Sequence, residues 1–357
     1  MDRRLRAAFS TRSRMTTVSV DQIRRRLAGI EERRRYFEWK SIQQNRLQRQ
    51  EMWRHAYLAR PYLIGAPDER VGERFRHIFM NAMELNAEGK IGLVPITETD
   101  EFMQLFTHIL EEYGSRVGGH PPSDLIQSAR APFHKYFESG PPIGVAMFEG
   151  YKAPQAPIVV KYGKREFLER MFRTGELRLA NAGLYAHAGF LESVRDDETH
   201  RVFFVPTYKE RLTGQSHIIF QGHRLEFGDD DIVMPIEVED YFLFSLCEHI
   251  HYRMPTDFGA DAALVIRDPA RFIQCLISTF LARFDGWARM AGKVAYYDPY
   301  RVPSVFPRRP EMAKHFGYAY QKEIRVAFRP RQRVSSNLEP LSLSIGSMID
   351  YADLIYA

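Results

Sequence analysis

The pattern of the chain changes near residue 150, and this change constrains the fold more than any other sequence feature. Before it, apolar residues recur at spacings of three and four, which is typical of amphipathic helices. After it, short runs rich in β-branched and aromatic residues alternate with turn residues, which is typical of strands. The run Gly140-Pro141-Pro142 favours a boundary at this transition. We therefore expect an Arg-rich, mainly helical region over residues 1–150 and an α+β domain over residues 151–357.

The second region contains many predicted strands and few helices. Helices are predicted in the first region at residues 20–58, 68–85 and 99–113, and in the second region at residues 164–173 and 268–284. Strands are predicted at residues 158–162, 201–205, 217–220, 232–238, 241–247, 262–266, 293–297, 324–328 and 341–345. So many strands with so few helices between them indicate largely antiparallel pairing.

Composition limits the cellular setting that we expect for the chain. Its 357 residues, 45% of them hydrophobic, are enough for two domains and a substantial core. Cys247 and Cys275 provide no disulfide framework. Because the sequence shows neither an apolar signal core nor a long uncharged apolar run, we expect a cytoplasmic protein that does not enter the membrane.

Charge is distributed unevenly along the sequence. Residues 1–60 contain sixteen Lys and Arg residues against six Asp and Glu residues, whereas the whole chain has a net charge of only +5. A basic arm on a mildly acidic body is typical of proteins that bind RNA or DNA. The alternative is a solvated helix surface that binds nothing, and the sequence leaves both interpretations open.

The triplet Gln321-Lys322-Glu323 is the strongest candidate for chemistry. It precedes the predicted strand 324–328, and side chains two apart in a strand share a face. We therefore expect the Gln321 amide and the Glu323 carboxylate to project together. A second acidic triplet, Glu237-Val238-Glu239, shows that such patterns also arise by chance. The alternative is that Glu323 pairs with Arg325 or Lys322 on the surface of the strand.

Several elements precede this triplet in a recognisable order. They are a strand that contains Lys161-Tyr162, a helix followed by Gly175, Tyr185, the acidic run Asp196-Asp197-Glu198, and a strand that contains Ser245. In this order they resemble a bacterial domain family of unknown function, some members of which are linked to phage defence. The same order resembles the ADP-ribosyltransferase superfamily, over about residues 155–350.

The resemblance implies a split, largely antiparallel β-sheet core and a reaction with NAD as substrate. It assigns Glu323 as the catalytic glutamate, which would stabilise an oxocarbenium-like transition state. Gln321 would position the acceptor, and Ser245 would support Glu323 and the nicotinamide ribose. The product would be a nucleic acid or protein that carries ADP-ribose. The chain would act in phage defence or as an intracellular toxin, and a neutralising or sensor protein would restrain it.

Three further residues are assigned to NAD by the same resemblance. Tyr162 and Tyr185 would stack on the nicotinamide ring, and Lys161 would contact the diphosphate. The alternative for both tyrosines is a packing role. The chain departs from the common subclasses of transferase, because it lacks a Ser-Thr-Ser motif and has Lys161-Tyr162 where they carry a histidine or an arginine.

Other polar clusters have two interpretations each. Cys247, His249 and His251 alternate, so a strand would place all three near one zinc ion, although the end of a partly buried strand is the alternative. The acidic run 196–198 fits a solvated turn or a metal ligand set. We expect no metal at the site. For the whole protein, the alternative to an enzyme is a non-catalytic module that binds nucleic acid or protein on a degenerate transferase fold.

Overall fold

The first region is helical, as expected, although the long first helix is interrupted. The computed structural model describes residues 17–116, 119–138, 140–187, 189, 191–220, 222–301, 309–332 and 338–357. The helices are α1 (Val20–Gln44), α2 (Arg49–Ala59), α3 (Asp68–Ala82), α4 (Ile96–Ser115), α5 (Ser123–His134) and α6 (Ile143–Met147), and a short hairpin joins β1 (Met83–Leu85) to β2 (Ile91–Leu93). In the described residues, no helix combines the length and apolar character needed to cross a bilayer.

Helix α1 begins and ends at recognisable capping residues. The Ser19 hydroxyl accepts from the Gln22 backbone N–H at 3.2 Å, and the Gln22 side chain accepts from the Ser19 backbone N–H at 2.8 Å. Asn45 adopts a left-handed conformation with φ of 52°, which ends the helix. The prediction of one helix over residues 20–58 is therefore wrong, because residues 45–48, beginning with the left-handed Asn45, separate α1 from α2.

The second region has the predicted α+β character. Its elements are β3 (Val159–Gly163), α7 (Arg165–Thr174), β4 (Glu176–Asn181), β5 (His200–Val205), α8 (Tyr208–Leu212), β6 (His217–Phe220), β7 (His223–Glu226), β8 (Ile232–Glu237), β9 (Phe242–Cys247), α9 (Met254–Asp257), β10 (Ala262–Ile266), α10 (Pro269–Arg283), β11 (Ala288–Lys293), β12 (Ala295–Tyr297), β13 (Ala313–His315), β14 (Glu323–Arg329), β15 (Leu341–Ser344) and β16 (Ala352–Tyr356).

The main sheet is antiparallel throughout. Its strands follow the order β11-β14-β9-β3-β10-β16, and β4 joins it by pairing with both β9 and β15. Strands β5 and β8 form a separate antiparallel pair, as do β6 and β7, whereas β12 and β13 are parallel.

Alternation along the central strands separates the hydrophobic core from the polar site. On one face, Phe244 of β9 and Phe328 of β14 pack with Phe272, Leu276 and Phe280 of α10. The rings of Phe280 and Phe328 stack with their centroids 3.8 Å apart. Because successive side chains of a strand alternate, the intervening residues of β9 and β14 project from the opposite face. That opposite face carries the candidate site.

The helical region packs directly on the α+β region. Phe316, from a 3-10 helix just before β14, lies in the same apolar cluster as Phe75 and Ile78 of α3. Arg74 of α3 makes two hydrogen bonds to the Asp298 carboxylate, both at 2.7 Å. The segment that leads into β14 is thus held in place by helices from the first 150 residues.

Candidate functional site

The site lies where the neighbouring strands β9 and β3 diverge. Strand β9 pairs with β14 along one edge, whereas along its other edge it meets β3 at a single pair, Val160 opposite Cys247. Lys161 of β3 spans the resulting gap, and its Nζ donates to the Ser245 carbonyl oxygen at 2.8 Å. This bond satisfies a carbonyl at the point where the strands separate.

A cavity of ≈ 210 Å³ opens beside this gap. Its walls contain all six residues that the sequence assigned to the site, namely Lys161, Tyr162, Tyr185, Ser245, Gln321 and Glu323. Further lining residues include Ser193, Val194, Glu198, Cys247, Phe258 and Lys314. Residues that are up to 162 positions apart in the sequence, Lys161 and Glu323, therefore share one small volume.

Gln321 and Glu323 converge for a different reason from the one predicted. Gln321 ends a 3-10 helix, Lys322 adopts a left-handed conformation with φ of 43°, and β14 begins only at Glu323. The two residues therefore do not share a strand face, and that prediction is wrong. They meet because Lys314 Nζ lies 3.1 Å from Gln321 Oε1 and 3.1 Å from Glu323 Oε2.

Three side chains hold the Glu323 carboxylate. Its Oε1 accepts from Ser245 Oγ at 2.6 Å and from Arg325 Nε at 2.6 Å, and its Oε2 accepts from Lys314 Nζ. Each carboxylate oxygen accepts about two hydrogen bonds, so Oε1 is filled and Oε2 has one position left. A hydroxyl group of a ligand in the cavity would therefore donate to Oε2.

The alternative prediction for Glu323 is an ion pair with Arg325 or Lys322 on the surface of the strand. The structure shows the pair with Arg325 but in a buried environment. Glu323 does pair with Arg325, two residues along the same strand. However, Glu323 is 4% exposed and Arg325 is fully buried, so the pair is internal rather than on a strand surface. Lone buried charges are costly, and this pair is stable only because further charges complete it.

Glu198 completes the buried network, although the sequence analysis named it only as part of an acidic run and did not assign it to the site. Its carboxylate forms a bidentate pair with Arg325, at 2.8 and 2.6 Å, and also accepts from Arg201 at 2.8 Å and from the Tyr241 hydroxyl at 3.0 Å. The interpretation of the acidic run as a solvated turn holds for Asp197, which is exposed, and is wrong for Glu198. No spacing in the sequence distinguishes the two.

The pKa values of two carboxyl groups at the site, Glu323 and Asp196, are shifted in opposite directions. Burial raises the pKa of Glu323, but Arg325 and Lys314 outweigh burial and lower it to about 2. Burial and the neighbouring Glu198 raise the pKa of Asp196 to about 7, although Lys314 Nζ is 4.0 Å away. At neutral pH, Glu323 is therefore a carboxylate that accepts hydrogen bonds and cannot act as a general acid.

Lys314 lies at the centre of these charges. Burial lowers its pKa, but Glu323, Asp196 and Glu198 outweigh this and raise it well above its usual value. Its Nζ is 3.1 Å from the nearest of these carboxylates and 4.0 Å from the farthest. Sequence reasoning also missed Lys314, because it lies on the short strand β13, outside the resemblance pattern.

The remaining predicted residues have defined contacts inside the chain. The Tyr162 hydroxyl accepts from the His251 backbone N–H at 2.8 Å, which fixes the ring as a wall of the cavity. Tyr185 is half-buried beside the same cavity. Gln321 Nε2 donates to the Ser193 carbonyl oxygen at 2.7 Å, and Gln321 Oε1 accepts from Lys314 Nζ. The Gln321 side chain therefore links the backbone at Ser193 to Lys314. The contacts of Gln321 support a positioning role within the protein.

The described residues contain no group of three or more His, Cys, Asp or Glu side chains that could hold a metal ion. Cys247 lines the cavity, and burial raises the pKa of its thiol to about 12. The rings of His249 and His251 pack against each other with centroids 3.9 Å apart and planes inclined by 39°. These contacts are those of a packed strand end.

Part of the basic arm is used in packing the helices. Arg33 and Arg54 both pair with Glu111, and Arg26 donates to the Ile64 carbonyl at 2.9 Å. These arginines join α1 and α2 to their neighbours. The charge count of residues 1–60 therefore overstates the number of cations that face solvent.

Comparison of the chain with protein-family models, with curated proteins and with solved structures found no match. The chemistry of the site is therefore inferred from its own residues. An oriented carboxylate, a cation and aromatic walls around a small cavity suit a ligand that combines hydroxyl groups with a flat ring.

Proposed function

We propose that the chain is an NAD-dependent ADP-ribosyltransferase-like enzyme in which Glu323 is the catalytic residue. The observation that carries this proposal is the hydrogen bond from Ser245 to Glu323, made inside the cavity by residues of two different strands. The resemblance assigns Ser245 to the support of the catalytic glutamate, and this contact is what that assignment requires. The divergence of β3 from β9 supports a split sheet of the transferase type.

In the proposed reaction, a ribose hydroxyl of NAD donates to Glu323 Oε2. The bond between ribose C1′ and the nicotinamide nitrogen breaks, and its electron pair leaves with nicotinamide. The carboxylate stabilises the positive charge that develops on the ribose ring, as in other oxocarbenium-like transition states. The acceptor then attacks C1′, forms the new bond there and loses its proton to water.

The electrostatics of the site support this role of Glu323. A residue that stabilises a cation must be ionised, and the lowered pKa of Glu323 keeps it so throughout the physiological range. Arg325 and Lys314 stabilise the ionised form of Glu323, and the negative charge of Glu198 balances part of their positive charge. Since Lys314 contacts Oε2 from one side, the ribose hydroxyl would use the remaining acceptor position.

The size of the cavity limits what it encloses. Pockets for drug-sized ligands have volumes of about 300–1,000 Å³, and this cavity is smaller. We infer that it holds the nicotinamide and its ribose between Tyr162 and Tyr185, and that the diphosphate extends past Lys161. The Ser245 carbonyl uses one of the three N–H donors of the Lys161 ammonium, which leaves donors for a phosphate.

The biological setting follows from the resemblance and is part of the same proposal. An intracellular enzyme that consumes NAD harms its own host, so a neutralising or sensor protein would restrain it. We propose a role in phage defence or as a toxin in the cytoplasm. The basic helical region favours a nucleic acid over a protein as the acceptor.

The test is release of nicotinamide from NAD by the full-length protein in the presence of a cell lysate. We expect Glu323→Gln to reduce release by at least about 100-fold, the scale found when one electrostatic group is removed from a catalytic site. Glu237→Gln is the matched control, because Glu237 belongs to the other acidic triplet and is exposed on β8. Equal release from wild type and Glu323→Gln would refute the assignment.

One observation favours the non-catalytic alternative. Ser245, Arg325 and Lys314 already satisfy most of the Glu323 carboxylate, as in a purely structural ion network. A wild-type protein that binds nucleic acid but releases no nicotinamide from NAD under any condition tested would favour this alternative. Biotin-labelled NAD, followed by detection on nucleic acid and on protein, identifies the acceptor class if release does occur.

A further inference from the structure

The outward side of helix α1 carries large aromatic side chains that are more than half exposed. Trp39 is 58% exposed, Tyr36 is 52% exposed and Ile42 is 79% exposed. Tyr36 and Trp39, together with the exposed arginines Arg25 and Arg35, define the α1 outer face, and Ile42 lies outside it, three residues beyond Trp39. Exposed apolar side chains grouped in this way mark interaction sites.

Helical geometry explains the composition of this face. The opposite side of α1 buries Ile23, Ile30 and Phe37, which recur every seven residues. Tyr36 and Trp39 are three residues apart, so they lie on neighbouring positions of the helix surface. Their ring centroids are 6.2 Å apart and their planes are inclined by 36°. Two flat surfaces therefore face solvent side by side.

The cations beside these rings are available to a partner. Arg25 and Arg35 form no ion pair within the part of the chain that the structure describes, unlike Arg33 on the inner side, which pairs with Glu111. Glu32 lies on the same face between the two arginines. The α1 outer face thus combines a net positive charge with stacking surfaces.

We propose that the α1 outer face binds single-stranded nucleic acid, with bases stacked on Tyr36 and Trp39 and phosphates paired with Arg25 and Arg35. Aromatic rings accept the face of any unpaired base, and arginines follow the backbone. A duplex hides its base faces, so it would use the arginines alone. A second copy of the chain fits less well, because the symmetric contact would bring like charges together. This inference does not depend on the transferase proposal.

The test is fluorescence anisotropy of a labelled oligouridylate and of a labelled DNA duplex with the full-length protein, at about 50 mM and about 200 mM salt. We expect Trp39→Ala to weaken binding of the single strand by at least about fivefold, the lower end of the range for losing one stacked base. Trp39→Phe should restore most of the affinity. Arg35→Gln should reduce the slope of log affinity against log salt by about 1.

Ile42→Ala is the matched control, because Ile42 is an exposed apolar residue of the same helix that lies outside the proposed binding face and cannot stack on a base. Unchanged affinity in this variant, together with the loss in Trp39→Ala, supports the proposal. No binding of the single strand by wild type at low salt would overturn it, as would equal affinities of wild type and Trp39→Ala. A dimer in sedimentation that both Trp39→Ala and Ile42→Ala dissociate would also overturn it, and would assign the face to a second copy.

Discussion

Among the buried ion pairs of the described residues, two groups look alike and have different surroundings. One joins Glu323, Arg325, Glu198 and Lys314 beside the cavity. The other is the pair of Arg74 and Asp298, which connects α3 to the loop after β12 and is equally buried. Each contains a bidentate contact between an arginine and a carboxylate.

Their surroundings differ in access. The Arg74 guanidinium lies among the rings of Tyr62, Tyr300 and Phe316, at 5.0 to 5.4 Å from their centroids, so its contacts are all internal. The Glu323 network borders a cavity and retains an acceptor position on Oε2. Burial and charge pairing are therefore common to both networks, and only an open acceptor position beside a cavity distinguishes the candidate site.

The largest effect is expected for Arg74→Met, which removes the buried bidentate partner of the Asp298 carboxylate and leaves only the half-exposed Arg301, whose Nε is 3.8 Å from Asp298 Oδ2. We expect the free energy of unfolding to fall by about 3–5 kcal/mol, measured by urea denaturation. Nicotinamide release per folded molecule should not change. The double variant Arg74→Met/Asp298→Asn should recover part of the stability, because it removes the buried charge. Loss of nicotinamide release in a folded Arg74 variant would contradict the distinction between the two networks.

Lys314→Met should destabilise the protein by a similar mechanism, by about 3 kcal/mol, and should also change the chemistry. The lysine helps to lower the pKa of Glu323, so its removal raises that pKa and fewer molecules carry the carboxylate as the pH falls. In wild type, protonation of Glu323 should not reduce the rate of nicotinamide release above about pH 3. In the variant, the rate should begin to fall at a higher pH. Lys293→Met, at an exposed ion pair with Glu248, is the control and should keep the wild-type profile.

Ser245→Ala should have an intermediate effect on the rate of nicotinamide release. A hydrogen bond to a charged group contributes about 1.5–3 kcal/mol, so we expect nicotinamide release to fall about 10- to 100-fold while the protein stays folded. Ser342→Ala, on the exposed side of β15, is the control and should leave the rate unchanged. Equal rates for both variants would show that Ser245 does not orient Glu323.

Asp196→Asn should have the smallest effect, visible as a pH dependence of stability. The pKa of Asp196 is raised in the folded protein from 3.8 to about 7 by burial and by Glu198, so the carboxyl group destabilises the fold progressively as the pH rises across that window. Lys314, Arg201 and Arg325 oppose this effect. We expect the variant to gain on the order of 1 kcal/mol relative to wild type between pH 5 and pH 8. A constant difference across this range would contradict the raised pKa.

The sequence predicted the central strands well because their patterns are local. The runs around Lys161, Ser245 and Glu323 lie within one or two residues of β3, β9 and β14. It missed β16, whose short run Ala352–Tyr356 is only partly buried at the sheet edge. It also missed the break at Asn45, because a left-handed residue inside a helical pattern leaves no periodic signal.

The sequence by itself determined the helical first region, the antiparallel α+β second region and the identities of six residues that line one cavity. Only the tertiary structure decided what surrounds them. Glu198 joins the site through contacts with Arg325 and Lys314, which are more than 100 positions away in the sequence, and no spacing encodes such contacts. The ionisation of Glu323 depends on the same neighbours, because a pKa follows from burial and nearby charge in three dimensions.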